Sequence, residues 1–209
     1  MSRYSYGYRR SLPVLLIVVV VIIVVLILAS VLRSLFLSPR EDTPVTQQVN
    51  SIQQSLLNTS ADRGVGLVVR GPIVADENFR SYRIVVTPSS RVAQSFTGYL
   101  DKLDVEKTLG NNARAYEELV HALHLADLDR GVQFEGDEND TRGICATGQV
   151  YEFSFLKDNE TVHTLWTSTC NGSPGSLRAN VNQLTNLFTR QIPDVSQITG
   201  NLTTSQLFF

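Results

Sequence analysis

The apolar run "LPVLLIVVVVIIVVLILASVL" over residues 12–32 restricts this chain more than anything else in it. No charged residue lies between Arg10 and Arg33. A helix of that length rises roughly 30 Å, the thickness of a bilayer's hydrocarbon core. Secretory signals have a shorter apolar stretch, about 7–15 residues, closed by small residues of A-x-A character. Here "ILASVLRSLF" offers no such cleavage site, and no lipobox cysteine follows. The run is therefore expected to be retained as a signal-anchor helix over 12–37, which makes the lipid bilayer its first partner.

The flanks set the expected orientation. Arg3, Arg9 and Arg10 precede the span, whereas Arg33 and Arg40 are followed at once by Glu41 and Asp42. The positive-inside rule makes residues 1–11 a cytoplasmic tail and places the rest of the chain outside the cytoplasm, as a single-pass protein of the cell membrane. Tyr4, Tyr6 and Tyr8 suit an interfacial aromatic belt on the cytoplasmic side. "RRSLP" has twin-arginine character, but the segment behind it is too long and too hydrophobic for that export route.

Charge narrows the function classes. The chain has 18 Lys+Arg and 20 Asp+Glu; the first 40 residues hold five of the basic residues and none of the acidic ones. Residues 41–209 therefore carry 13 basic and 20 acidic side chains, a formal charge of −7. Phosphate neutralisation supplies most nucleic-acid affinity, so an acidic domain without a basic stripe is not expected to bind nucleic acid. The length beyond the anchor suits one domain.

Within that length, 38–62 reads as a linker carrying a short amphipathic helix, since Val45, Val49, Ile52 and Leu56 recur at helical spacing. Too few heptads are present for a coiled coil, so packing on the domain is its expected role. Residues 63–193 read as the extracytoplasmic domain. "GVGLVVRG" and "FRSYRIVVTP" are strand-like, rich in β-branched residues. Val92, Phe96, Tyr99, Leu100 and Leu103 share one helical face, and Tyr116, Leu119, Val120 and Leu123 share another, with Asn111 or Asn112 as cap; the two predict a helical hairpin. Leu177, Val181, Leu184 and Phe188 predict a final helix ending before "IPD". The segment 194–209 reads as a polar tail with a closing "LFF". The expected fold is thus α+β: an N-terminal transmembrane helix, then one compact domain with a mainly antiparallel sheet, a helical hairpin and a C-terminal helix.

Cys145 and Cys170, the only cysteines, flank a strand hairpin turning at "KDNE". An even-numbered loop puts odd residues of the first strand on the face of even residues of the second. That reading joins Cys145, Tyr151, Phe153 and Phe155 with Val162, Trp166 and Cys170 on one buried face, and puts His163 on the other. Closing on Lys157-Asp158 sets the cysteines directly opposite; closing on Asp158-Asn159 makes them diagonal neighbours. Either predicts a Cys145–Cys170 disulfide, in keeping with an oxidising compartment. C-x-x-C is missing, zinc would need further ligands, and a cysteine nucleophile would have its histidine on the wrong face.

Other side chains offer weaker candidates for chemistry. His121 and His124 could share a metal on one helix face, but no third ligand is in view. Glu135, Asp137, Glu138 and Asp140 offer calcium oxygens without the regular loop spacing. No metal or cofactor is expected. N-x-S/T sequons at Asn58, Asn139, Asn159, Asn171 and Asn201 mark surface positions if the host glycosylates. No G-x-S-x-G, phosphate-binding glycine loop or H-E-x-x-H occurs, which favours a non-enzyme.

The cysteine hairpin with "LFTRQIPDV" (187–195) resembles uncharacterised single-pass envelope proteins of reduced-genome candidate-phylum bacteria. The resemblance covers the chain from about residue 140 onward. It implies a bacterial cell envelope and assigns no activity. The leading expectation is a membrane-anchored domain that binds an envelope or protein partner, or organises the envelope. A pilus or secretion subunit is the second: pilin-like helices carry an early acidic residue behind a glycine cleavage site, and none interrupts Leu12 to Leu32. An extracytoplasmic hydrolase with a dispersed site is the third.

Overall fold

A computed structural model describes residues 44–203, together with 22, 23 and 25. The chain divides into two units, Met1–Asp42 and Thr43–Phe209. The anchor expected over 12–37 lies outside the described residues except for those three positions. Among the described residues no helix is long and apolar enough to cross a membrane.

The second unit runs α1 (Pro44–Leu57), β1 (Arg63–Arg70), β2 (Arg80–Val86), β3 (Ser90–Thr97), β4 (Lys102–Gly110), α2 (Ala113–Leu125), β5 (Val150–Lys157), β6 (Glu160–Ser168), α3 (Val181–Thr189) and α4 (Ser196–Thr203). The strands form one antiparallel sheet in the order β4-β3-β2-β1-β5-β6. The α+β class and the antiparallel sheet are as expected.

Alternation along the strands decides which face is buried. Leu67 of β1 pairs with Ile84 on one side and Phe153 on the other; Ile84 pairs with Ala93, and Phe153 with Leu165. All five are fully buried, a continuous row across five strands. Above this face lie Ile52 and Leu56 of α1, Leu119, Val120 and Leu123 of α2, Leu184 and Phe188 of α3, and Ile198 and Leu202 of α4. The linker helix thus packs on the domain, as its stripe implied. The opposite sheet face carries none of these helices, as an antiparallel sheet permits.

The stripe in α2 and its cap are as read: Tyr116, Leu119, Val120 and Leu123 are buried, and the Asn112 side chain accepts a hydrogen bond from Ala115 N at 2.9 Å. Asn112→Ala is expected to cost about 1 kcal/mol, read as a lower denaturation midpoint at unchanged slope.

Three expectations need correction. The first helix of the helical hairpin is instead strands β3 and β4. Its apolar positions fit a helical period, but Gly98 (φ +78°) and Asp101 (φ +51°) build a tight turn in the middle. Small Ala93 and Ser95, rather than the large residues, face the core. α4 packs against β2, β3 and β4.

The segment from 194 is not wholly a polar tail. It carries α4, whose Ile198 and Leu202, four residues apart, are buried in the main cluster.

The parity of the cysteine hairpin changes partway. Asp158 and Asn159, both at positive φ, form the two-residue turn, and Lys157 pairs with Glu160. Beyond Leu156↔Thr161 the register shifts to Phe155↔His163, so Val162 is an extra, bulged residue. Phe153 and Phe155 therefore share their face with Leu165 and His163. Val162 is 39% exposed, and Trp166 falls on the opposite face.

Trp166 is buried there by other means. Its ring meets Phe134 edge-on at 6.0 Å, and its backbone is covered by the segment after the disulfide, with Ser176 Oγ 3.0 Å from its N and Leu177 N donating to its O at 2.9 Å. Gly175 (φ +75°) lets that segment approach: a Cβ there would sit 2.1 Å from Trp166 O. This cover protects the β6 edge. The β4 edge has charged Lys102, Asp104, Glu106 and Lys107 instead, which discourage strand pairing with another chain.

Candidate functional site

The uncovered sheet face is the largest feature that the core does not explain. Gly66 and Val68 of β1, Arg83 and Val85 of β2, Val92 and Gln94 of β3, and Ser154 and Leu156 of β5 line a depression of about 500 Å³ on it. Period-two alternation puts them there, because their neighbours point into the core. Val68, Val85, Val92 and Leu156 alternate there with polar Arg83, Gln94 and Ser154, so the lining is mixed. Arg83 lies 5.7 Å over the Phe96 ring, and Gln94 Nε2 donates to Glu106 at 2.6 Å.

At one end of this face Arg70 and Glu152 form an ion pair at 3.2 Å, the Glu152 side chain being mostly buried. Thr141, from the long loop between α2 and β5, donates its hydroxyl to Glu152 and accepts from Arg70 Nη1 at 3.3 Å. The triad ties the loop to the sheet. Arg70 also lines a second, smaller pocket of about 270 Å³, whose apolar walls are Ile73, Phe79, Tyr99, Val150 and the buried Cys145.

Phe79 and Tyr99 stack with ring centroids 4.2 Å apart. The Tyr99 hydroxyl donates to Val74 O at 2.7 Å and accepts from Val74 N at 3.0 Å, and Tyr99 N donates to Asp76 Oδ1 at 2.8 Å. The ring is thereby held as a fixed wall. Ile73 and Tyr99 are each 48% exposed and Leu100, at the tip of the β3–β4 hairpin, is 94% exposed. Large apolar groups left in water beside a pre-formed pocket are what a docking site presents.

The positions singled out from the sequence fall as follows. Cys145 and Cys170 form the disulfide, with Cα atoms 5.4 Å apart. His163 lies beside Phe155, ring centroids 6.3 Å apart, with Nε2 3.1 Å from Ser51 Oγ on α1. Partial burial lowers its pKa below the ordinary 6.5. The unfolded chain then binds that proton more readily, so the histidine's contribution to stability is present above that pH and is lost as pH falls.

His121 is exposed, whereas His124 Nδ1 is engaged by the buried Asp129 at 2.8 Å. In the acidic loop Glu135, Asp137 and Glu138 are exposed. Asp140 is held by Arg142, whose side-chain hydrogen bonds bring its carboxyl to about 2. Among the described residues no three His, Cys, Asp or Glu gather as a metal-holding group. Of the sequon residues, Asn58, Asn159 and Asn171 are exposed, Asn139 is half-buried with its Oδ1 enclosed, and Asn201 lies in α4.

Sequence reasoning missed the Arg70–Glu152–Thr141 triad and the Phe79–Tyr99 wall. Arg70 and Glu152 lie 82 positions apart and meet only through the β1–β5 register. The wall was hidden by assigning Tyr99 to a helix. Compared with known family models and with curated proteins, the chain matches none.

Proposed function

We propose that this chain is a single-pass membrane protein whose extracytoplasmic domain binds a protein partner in the cell envelope through the uncovered sheet face. The observation that carries this reading is the asymmetry of the sheet. One face is closed by four helices, and the other holds a depression of mixed polar and apolar lining, with the rigid aromatic pocket at its end. A surface of hydrogen-bonding and apolar groups suits recognition.

The membrane half of the proposal rests on the uncharged run before Arg33.

Two measurements test the reading in intact cells. A photo-crosslinker at Gln94, on the open face, is expected to give a discrete adduct, while one at Glu117, on the exposed side of α2, gives none. Equal labelling from both positions would remove the open face as the binding surface. A reporter fused after Phe209 is expected to be active only outside the cytoplasm; activity confined to the cytoplasm would reverse the topology.

A further inference from the structure

Arg83 differs from the other charged side chains around the open-face depression. Arg70 is paired there with Glu152, and Glu106 accepts from Gln94. The exposed Arg83 guanidinium has neither an ion pair nor a hydrogen bond among the described residues; its carbon lies 5.7 Å from the centroid of the Phe96 ring. The strand register sets Arg83 between Val68 of β1 and Gln94 of β3, and two residues further along Val85 pairs with Val92. These three valines are half-buried. An uncompensated cation thus stands among apolar groups, in a segment 41–209 whose formal charge is −7.

We propose that Arg83 anchors the protein partner by receiving the carboxylate of one aspartate or glutamate, while apolar residues beside that acid in the partner cover Val68, Val85 and Val92. The inference rests on the open face being the docking surface and names what that surface selects. A planar guanidinium meets a carboxylate in a two-bond fork, and such charged bonds are stronger than neutral ones. The contact with the Phe96 ring restrains the arginine beforehand, so less rotamer freedom is lost when the fork forms. Apolar neighbours that close around the pair exclude water from it and so strengthen the attraction. The number of charges decides the class of partner. A nucleic-acid backbone or an anionic lipid surface engages several cations together, whereas one unpaired guanidinium among valines suits a single acid on an otherwise apolar segment.

The test keeps the full chain in intact cells and carries the photo-crosslinker at Thr164, which lines the same depression from β6 and leaves the neighbours of Arg83 unaltered. The expected product is an adduct whose attached partner peptide contains Asp or Glu with apolar residues beside it. Arg83→Gln is expected to lower its yield on the order of tenfold, and Arg83→Lys, which keeps the charge, by clearly less. Equal losses from the two variants, an unchanged yield in Arg83→Gln, or an attached peptide without Asp or Glu would overturn the inference and leave the open face as the binding surface. No adduct from Thr164 would overturn it as well, and the adduct from Gln94 then tells whether the open-face reading falls with it.

Discussion

Phe153→Ala is expected to lower the free energy of unfolding by about 3–5 kcal/mol, the range for truncating a fully buried phenylalanine. The ring sits at the crossing of two sets of contacts. Within the sheet it is flanked by Leu67 and Leu165, both fully buried. Toward the helices it meets Phe188 of α3, ring centroids 5.9 Å apart. Removing it takes away apolar burial and leaves a cavity that neither a hydrogen-bonded sheet nor a helix already packed on it can close fully. Trp166, the only tryptophan, supplies the signal for denaturant unfolding. Val162→Ala is the control: the same hairpin, a side chain at the bulge, and an expected change within about 0.5 kcal/mol. Similar losses from both would contradict the assignment of the core to the Phe153 face.

The residues that were legible from the sequence are those whose local pattern and tertiary role agree. Val65, Leu67 and Val69 alternate in a β-branched run and are buried on one face; Tyr116, Leu119, Val120 and Leu123 recur at helical spacing and are buried on one side of α2. Where pattern and role diverge, the reading fails. Val92 and Phe96 point to the open face of β3 while Ala93 and Ser95 occupy the core side, so hydrophobicity marks the wrong face and mimics a helix. The bulge at Val162 is a shift of one residue, and one residue is enough to exchange every later side chain between faces. The candidate site was illegible for a third reason. Arg70, Thr141 and Glu152 come from three separated parts of the chain, and only the pairing of β1 with β5 brings them together.

Loss of the disulfide, by reduction or by Cys145→Ser/Cys170→Ser, is expected to cost about 3.5 kcal/mol, the chain-entropy value for a loop of this size. The bond joins cysteines 25 positions apart. Contacts beside it already hold the native register: Gln149 N donates to Thr169 Oγ1 at 2.8 Å, Thr169 N to Gln149 O at 3.0 Å, and Ser173 Oγ to Ile144 O at 3.2 Å. The folded domain therefore needs little rearrangement to lose the bond, and the effect falls on the unfolded chain, which regains the conformations that the crosslink withheld. A more expanded unfolded state also exposes more surface, so the denaturant slope should rise while the midpoint falls. A distortion of the native hairpin would act differently, changing Trp166 fluorescence before unfolding begins. Equal midpoints with and without reductant, with two thiols titrating in the untreated protein, would show that the bond is not formed. A loss near the expected size would make the domain's stability depend on an oxidising surrounding, as the extracytoplasmic location proposed above requires.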